Sequence, residues 1–120
     1  MSIHNVGNEI NQALALNIIS KTTTATLTYA ELTSGIPFVR CTTASGAYVI
    51  TLPAAADLYK GVMVYIGNYG HQTNDITVNV VAGFGGDADI DDVVVDAGEF
   101  GIFFCDGSRW FANGSTIPQA

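Results

Sequence analysis

The densest group of residues capable of chemistry is the acidic stretch Asp87-Ala88-Asp89-Ile90-Asp91-Asp92. Carboxylates at every second position are typical of the start of a calcium-binding loop. The rest of that motif is missing, because its sixth position holds Asp92 instead of glycine and its twelfth holds Gly98 instead of glutamate. We therefore interpret the stretch as a solvated acidic loop and assign no metal ligands. A surface Ca²⁺ shared between subunits is the alternative.

The two histidines and two cysteines do not have the spacing of a metal site. His4 and His71 are far from each other and from Cys41 and Cys105, unlike the closely spaced ligands of zinc sites. His71 falls in a turn-like stretch, residues 70–74, where we expect an exposed loop residue rather than a base. We expect both cysteines to be free, buried thiols, and a disulfide is the alternative.

Motifs for nucleophilic catalysis and phosphate binding are absent or incomplete. No nucleophile elbow of the type Gly-x-Ser-x-Gly occurs, and Gly83-x-Gly85-Gly86 lacks the following helix that a phosphate-binding loop needs. We therefore predict no catalytic residues, no cofactor and no enzymatic activity. Five aromatic residues are candidates for a carbohydrate-binding surface, although packing in the core or between subunits is their commoner role: Tyr48, Tyr59, Tyr65, Tyr69 and Trp110.

The composition is apolar and poor in charge. Of the 120 residues, 48% are hydrophobic and 12% are charged, whereas about a quarter are charged in a typical soluble domain. A single domain of this length hides roughly two thirds of its unfolded surface. We infer that much of the remaining surface is buried against partners. A β domain coated with Thr, Asn and Ser is the alternative.

The net charge of −7, with four positive side chains, disfavours nucleic acids and anionic membranes as partners. Nucleic-acid binding needs clustered Lys and Arg to neutralise phosphates, and an acidic chain is repelled by anionic membrane surfaces. No apolar run approaches the about 18 residues of a membrane span. The first five residues lack a basic segment followed by an apolar core, so we expect no signal peptide.

Residues 91–114 predict three short strands joined by tight turns, of which Asp106-Gly107 is the strongest hairpin signal. Successive side chains of a strand point to opposite faces. Both faces of the middle strand are apolar, so we expect something to cover the side that is turned away from the core. One face carries Phe100, Ile102 and Phe104, and the other carries Gly101, Phe103 and Cys105.

The rest of the chain repeats this strand-and-turn pattern at intervals of about eight to twelve residues. One short helical turn is predicted over residues 54–60, where Gly61 ends it. The pattern predicts an all-β fold, a single compact β-sandwich or barrel-like domain of about eight or nine short strands. The predicted strands outside residues 91–114 are 22–29, 38–42, 47–52, 62–66 and 75–81.

Residues 1–20 differ from this pattern. Their apolar residues fall at spacings of three and four, which predicts one helical stripe, but their many asparagines are poor helix formers. A helix on the domain's own core and an arm that orders on a neighbouring subunit are therefore both open. We divide the chain into an N-terminal arm or short helix, 1–20, and a β domain, 21–120. The stripe consists of Ile3, Val6, Ile10, Leu14 and Ile18.

Much of the chain resembles a β module of tailed-bacteriophage virion proteins. The stretches that carry the resemblance are YVITLPAAA (48–56), GVMVYIGN (61–68) and DITVNV (75–80). The usual ending of the module, a strand followed by Asp-Gly-x-x-Trp, is matched by CDGSRW (105–110). The likeness covers roughly residues 22–114 and leaves residues 1–20 outside it. Such modules occur in tail fibres, in spikes and in small proteins that decorate or cement capsids.

The resemblance implies a non-enzymatic structural protein that is commonly a homotrimer. Fibres and spikes are normally long, whereas this chain holds one module and a short N-terminal segment, so we expect a capsid decoration (cement) protein. It would be made in the host cytoplasm and bind the major capsid protein on the virion surface. The candidate residues for the trimer contact are Phe103, Trp110 and Phe111, and those for a capsid-binding arm are Ile3, Val6, Ile10 and Leu14.

Two other functions remain open. A tail-fibre or spike tip would place Tyr69, His71 and the acidic loop of residues 87–92 at an exposed end that meets a host receptor glycan. A small carbohydrate-binding module is an alternative from a different class, and the expected absence of a signal peptide disfavours it.

Overall fold

The strands of this chain are shared between two five-stranded sheets. The structure is a computed structural model, which describes residues 16–70, 73–113 and 116–117. The prediction of an all-β fold is confirmed. In chain order the strands are β1 (Leu16–Lys21), β2 (Ala25–Thr26), β3 (Ile36–Thr42), β4 (Tyr48–Leu52), β5 (Met63–Tyr69), β6 (Ile76–Val80), β7 (Asp92–Val95), β8 (Phe100–Cys105), β9 (Trp110–Ala112) and β10 (Thr116–Ile117).

The order of strands is β1-β3-β5-β8-β9 in the first sheet and β10-β7-β6-β4-β2 in the second. From β1 to β6 the chain alternates between the sheets, and the strands that neighbour each other in one sheet run in the same direction. The pairs β1–β3 and β3–β5 are therefore parallel, as are β2–β4 and β4–β6. The later strands pair antiparallel, β5 with β8, β8 with β9, and β6 with β7.

The hydrophobic core lies between the two sheets and is filled by every second residue of the central strands. Trp110 is fully buried there, and its indole Nε1 donates a hydrogen bond to the Pro53 carbonyl at 2.8 Å. This bond ties the strand after the Asp106-Gly107 turn to the end of β4 in the opposite sheet. The buried apolar residues are Leu27, Leu32, Val39, Cys41, Ile50, Leu52, Val64, Ile66, Ile76, Val78, Val80, Phe84, Val93, Val95, Phe103, Cys105 and Trp110.

The strand predicted over residues 22–29 is wrong for most of its length. Only Ala25–Thr26 is strand, and a one-turn helix, α1 (Tyr29–Leu32), follows it. A capping box starts this helix and ends the strand before Thr28: the Glu31 N–H donates to Thr28 Oγ1 at 3.2 Å, and the Thr28 N–H donates to Glu31 Oε1 at 3.0 Å. Two helix-terminal donors are satisfied in this way, and at Thr28 this outweighs the strand preference of threonine.

The helical stripe predicted in residues 1–20 is wrong at Ile18. Residues 16–20 belong to β1, so a regular strand crosses the predicted boundary between arm and β domain. Ile18 and Ile19 are β-branched and favour a strand, and the edge of β3 offers β1 a partner along its whole length. The remaining members of the stripe, Ile3, Val6, Ile10 and Leu14, lie outside the described residues.

The short helical turn predicted over residues 54–60 is a 3₁₀ turn, Asp57–Tyr59. It follows Pro53, where β4 has ended, and Gly61 after it has a positive φ of 84°. The Gly61 N–H donates to the Cys105 carbonyl at 2.8 Å, and the Cys105 N–H donates to the Val62 carbonyl at 3.0 Å. These two bonds place the start of β5 next to the end of β8.

Candidate functional site: the outer face of the first sheet

The side of the first sheet that faces away from the core is apolar across its full width. Alternation places every second residue of β1, β3, β5 and β8 on it, and several are substantially exposed: Phe100 by 57%, Ile18 by 55% and Phe104 by 43%. We refer to this surface as the outer face. Its apolar members are Leu16, Ile18, Ile36, Phe38, Met63, Tyr65, Phe100, Ile102, Phe104 and Phe111.

Aromatic rings form two groups on the outer face. Phe38, Tyr65 and Phe100 make one group, with ring centroids 6.1 to 6.5 Å apart. Phe104 and Phe111 are directly paired across β8 and β9 and stack at 5.2 Å. These separations are typical of favourable aromatic pairs. The rings therefore restrict each other's conformations in the isolated chain.

A glycine in β5 opens a depression beside the first ring group. Gly67 lies opposite Phe100, and a Cβ on it would come within 2.7 Å of the Phe38 ring. Beyond it, the Arg40 guanidinium carbon lies 4.5 Å from the centroid of the Tyr69 ring, which is a cation–π contact. The depression has a volume of about 300 Å³ and is lined by Phe38, Arg40, Gly67, Asn68, Tyr69, Gly98, Glu99 and Phe100.

The outer side of the second sheet has a different character. In register across its central strands, Thr51 lies opposite Asn79 and Asn79 opposite Asp92. The neighbouring row consists of Val49, Thr77 and Val94. The outward positions of these three described strands thus carry polar groups and small aliphatic side chains and no aromatic ring. Between the outward sides of the two sheets, exposed aromatic rings are therefore found on the first sheet; Tyr29, which is 52% exposed, lies on α1.

Two of the three residues predicted for the trimer contact lie in the core. Phe103 and Trp110 are both 0% exposed, and the Phe103 ring packs 5.9 Å from that of Phe84. These two side chains cannot touch a second copy while the domain is folded, which corrects the prediction. Phe111 is partly exposed on the outer face and remains a candidate.

The sequence contained part of the signal that separates the exposed rings of β8 from the buried one. Period-2 alternation shows that Phe100, Ile102 and Phe104 share a face, but it does not say which face points inward. The opposite face carries the small residues Gly101 and Cys105, which leave room for the second sheet. Tyr65 was among the predicted aromatic candidates, but Phe38 was not, because only the register between β3 and β5 places the two rings side by side.

The acidic loop and the thiols take no part in the outer face. Asp87 Oδ1 accepts a hydrogen bond from the Asp89 N–H at 3.0 Å, and in the described part of the chain no three His, Cys, Asp or Glu side chains are grouped as a metal site. Cys41 and Cys105 are buried free thiols, as predicted. Burial raises the pKa of the Cys41 thiol to about 11. His71 lies outside the described residues.

The charges near the outer face are few and at its margins. Lys21, at the end of β1, forms an ion pair with Glu31 at 2.7 Å. Arg40 and Glu99 border the depression at Gly67. Among the described residues, no helix has the length and apolar character needed to cross a membrane.

Comparison with known proteins gives little further information. No protein-family model matches the chain, and no curated protein matches it. Among solved structures, the chain is similar to the crystal structure of enterohemorrhagic E. coli StcE(132-251), with 18% sequence identity and a TM-score of 0.46, covering 81% of this chain and 91% of that one. A likeness this distant carries no argument about function.

Proposed function

We propose that the protein is a non-enzymatic structural component of a phage virion, which binds the assembled capsid surface as a homotrimer and stabilises it as a decoration (cement) protein. The phage class rests on the resemblance of residues 48–56, 61–68, 75–80 and 105–110. The observation that supports a contact function is the outer face, because extended apolar patches on a small domain mark interaction surfaces.

The outer face has the composition of a protein–protein contact. Interface centres are enriched in aromatic residues and depleted in most charges; Phe38, Tyr65 and Phe100 supply the aromatic rings, and the Arg40 guanidinium lies at the border. Their rings already pack against one another, so little side-chain freedom is lost on association. Each square ångström of apolar surface removed from water contributes roughly 25 cal/mol. We assign the trimer contact to this face, with Phe111 at its margin.

Stabilisation of the capsid would follow from binding to it, by mass action. A protein that binds only the assembled shell stabilises it, by about 2.7 kcal/mol for each site when its free concentration is 100 times Kd. Three linked copies strengthen a modest contact through avidity. The predicted arm residues Ile3, Val6, Ile10 and Leu14 are the candidates for contact with the major capsid protein.

The trimer contact is tested by analytical ultracentrifugation of the double variant Phe100→Ser/Phe104→Ser. We expect the wild-type chain to form trimers and the folded variant to form none, because two of the most exposed rings are removed. Leu58→Ser is the matched control, since Leu58 is 55% exposed but lies in the 3₁₀ turn away from the outer face. A monomeric wild-type chain would contradict the assignment.

Capsid binding is tested separately with a chain that lacks residues 2–15. This deletion leaves β1 complete, whereas removal of residues 2–20 would destroy a strand of the first sheet. We expect the wild-type chain to co-sediment with expanded, emptied phage capsids and the deletion to bind weakly while remaining a trimer. Unchanged binding would exclude the arm, and no binding of the wild-type chain would refute the decoration role.

A receptor-binding tail protein is the second candidate, favoured by the depression at Gly67. Small-molecule sites have volumes of about 300–1,000 Å³ and combine apolar walls with a few polar groups, and the depression of about 300 Å³ meets this description. Its exposed ring, Tyr69, and the Arg40 guanidinium are available to a sugar. Glycan-array binding by the wild-type chain that Tyr69→Ala abolishes would favour this function.

A further inference from the structure

One edge of the sandwich differs from the other three. The edge strands of the described sheets are β1, β9, β2 and β10. Of these, β2 and β10 have two residues each and β9 has three, whereas β1 has six. The edge of β9 is also partly covered, because the Gly85 N–H donates to the Trp110 carbonyl at 2.7 Å. The one long edge in the described structure is therefore β1.

β1 lacks the features that normally protect an edge strand. Such protection comes from charged side chains, proline, a bulge or very short length, but residues 16–20 are Leu-Asn-Ile-Ile-Ser and pair with β3 in unbroken register. The charge at the end of the strand is occupied, because Lys21 is paired with Glu31 at 2.7 Å. The outward-facing Leu16 and Ile18 remain 46% and 55% exposed.

The neighbouring helix does not shield these outward side chains. α1 and the turn after it contact the alternate set of β1 side chains, through the Lys21–Glu31 ion pair and a hydrogen bond from Asn17 Nδ2 to Ser34 Oγ at 2.7 Å. A further hydrogen bond, from the Tyr48 hydroxyl to the Lys21 carbonyl at 3.0 Å, fixes the end of the strand. β1 is thus held rigidly from one side of the sheet.

We propose that β1 pairs antiparallel with β1 of a second copy, across a twofold axis perpendicular to the sheet, so that two first sheets join into one. Such an axis keeps the two outer faces on the same side. It therefore allows only registers in which outward residues face outward residues. Centred on Ile18, this pairing places Ile18 opposite Ile18 of the partner subunit and Leu16 opposite Ser20.

Charge is the reason for choosing a second copy as the occupant. Each copy carries a net charge of −7, and like charges directly opposite one another weaken strand pairing. Residues 16–20 are uncharged, so two copies can meet along this edge with no like-charged cross-strand pair. The pairing also makes the apolar outer face continuous from one copy to the next. This contact uses the backbone edge of β1, whereas the trimer contact uses the ring groups of β3, β5 and β8, so edge pairing would connect neighbouring trimers.

The register is tested by disulfide trapping of Ile18→Cys in the full chain. Paired residues of antiparallel strands have Cα atoms about 4.5–5.5 Å apart, which lies within the disulfide range of about 4.4–6.8 Å. We expect most of the protein to run as a covalent dimer on a non-reducing gel after mild oxidation. The native Cys41 and Cys105 do not interfere, because they are 0% and 1% exposed.

Leu16→Cys is the matched control for this experiment. It lies on the same strand and face with similar exposure, but in the proposed register the two copies of residue 16 are about 13 Å apart, four residues at about 3.3 Å each. We expect at least tenfold less cross-linking than for Ile18→Cys. Equal cross-linking of both variants would show random collision and overturn the proposal.

Two further cross-linking experiments would show whether something other than β1 of a second copy covers the β1 edge. If Ile18→Cys forms a dimer only after residues 2–15 are deleted, the chain's own N-terminal segment covers the edge, and the proposal is wrong. Adding Phe100→Ser/Phe104→Ser to Ile18→Cys should abolish the trimer contact but keep the cross-link, since these residues lie on β8 rather than on β1. Loss of the cross-link there would assign it to the outer face and overturn edge pairing.

Discussion

The Cys41 thiol and the Glu31 carboxylate show how burial and partners set the pKa of individual residues. Cys41 is 0% exposed between the sheets, and its pKa of about 11 reflects the cost of placing a thiolate there. Glu31 responds differently, because it has partners. Partial burial acts to raise its pKa, but hydrogen bonds from Lys21 and from the Thr28 N–H, with the Lys21 charge, outweigh burial and lower the pKa.

The thiols should be unreactive in the folded protein. With a pKa of about 11, only about one thousandth of the Cys41 thiol is ionised at pH 8, and the thiolate is the nucleophile. We expect a colorimetric disulfide reagent at pH 8 to react with no thiol in the native protein and with two in denaturant. Rapid reaction of one thiol under native conditions would contradict the buried position of these side chains.

Stability should fall in acid partly through Glu31. Its folded pKa is lowered from the ordinary value of 4.5, so between these two values the unfolded chain binds more protons and stability rises with pH. The contribution is complete above about pH 5.5 and is lost as the pH falls below 4.5 through the folded pKa. We expect Glu31→Gln to have a flatter profile of unfolding free energy between pH 6 and pH 3, measured by urea denaturation. Identical slopes for variant and wild type would exclude the effect.

The turns between strands depend on glycine for two different reasons. Gly83 has a φ of +78°, and a Cβ there would also collide with the Asp87 backbone carbonyl at the entrance to the acidic loop. Gly98 has a similar φ of +84° between β7 and β8, but nothing lies within 4 Å of a Cβ on it. Comparing the two positions therefore separates the free-energy cost of the left-handed backbone from that of the steric contact with Asp87.

Alanine at these two glycines should therefore destabilise the protein unequally. Gly98→Ala should lower the free energy of unfolding by about 1 kcal/mol, because only the left-handed conformation is unfavourable there. Gly83→Ala must also move the backbone at Asp87 and should lower it by about 3 kcal/mol or more. Urea unfolding of both variants measures the difference. Equal losses would mean that the loop at Asp87 shifts freely.

Local patterns predicted those elements whose side chains decide their structure. The alternation of Ile76, Val78 and Val80 and the Asp106-Gly107 turn indicated strands and a hairpin that are present. Thr28 and Glu31 also carried a local signal, since Thr-x-x-Glu is a capping box, but the threonines at 22, 23, 24 and 26 favour a strand. The pairing of β1, β3 and β5 in parallel could not be predicted, because it depends on crossings between sheets that no short motif encodes.

The candidate site was harder to predict than the fold. Its residues come from β1, β3, β5, β8 and β9, which are distant in sequence. The apolar residues on both sides of β8 indicated a second apolar surface. Whether Phe103 or Phe104 lies on that surface could be decided only from the position of the opposite sheet. One residue of register separates a core ring from an exposed one.

For the whole molecule, apolar contact and net charge oppose each other. Copies that carry a charge of −7 repel, and this repulsion is screened beyond a Debye length of about 10 Å at about 0.1 M salt. Burial of the outer face is not weakened by simple salts. Its central rings, Tyr65 and Phe100, carry no charge, and Arg40 lies at its border. Salt should therefore change self-association in a direction that identifies the dominant force.

We expect self-association of the wild-type chain to strengthen when sodium chloride is raised from about 0.02 M to about 0.5 M, because the repulsion is screened while apolar burial remains. Sedimentation equilibrium should show the dissociation constant falling at least several-fold. Phe100→Ser/Phe104→Ser should form no trimers at either salt concentration, and Leu58→Ser should follow the wild type, since its side chain lies off the outer face. Weaker association in high salt would mean that ion pairs such as those of Arg40 or Glu99 hold the copies together, and the outer face would then lose its assignment as the principal contact.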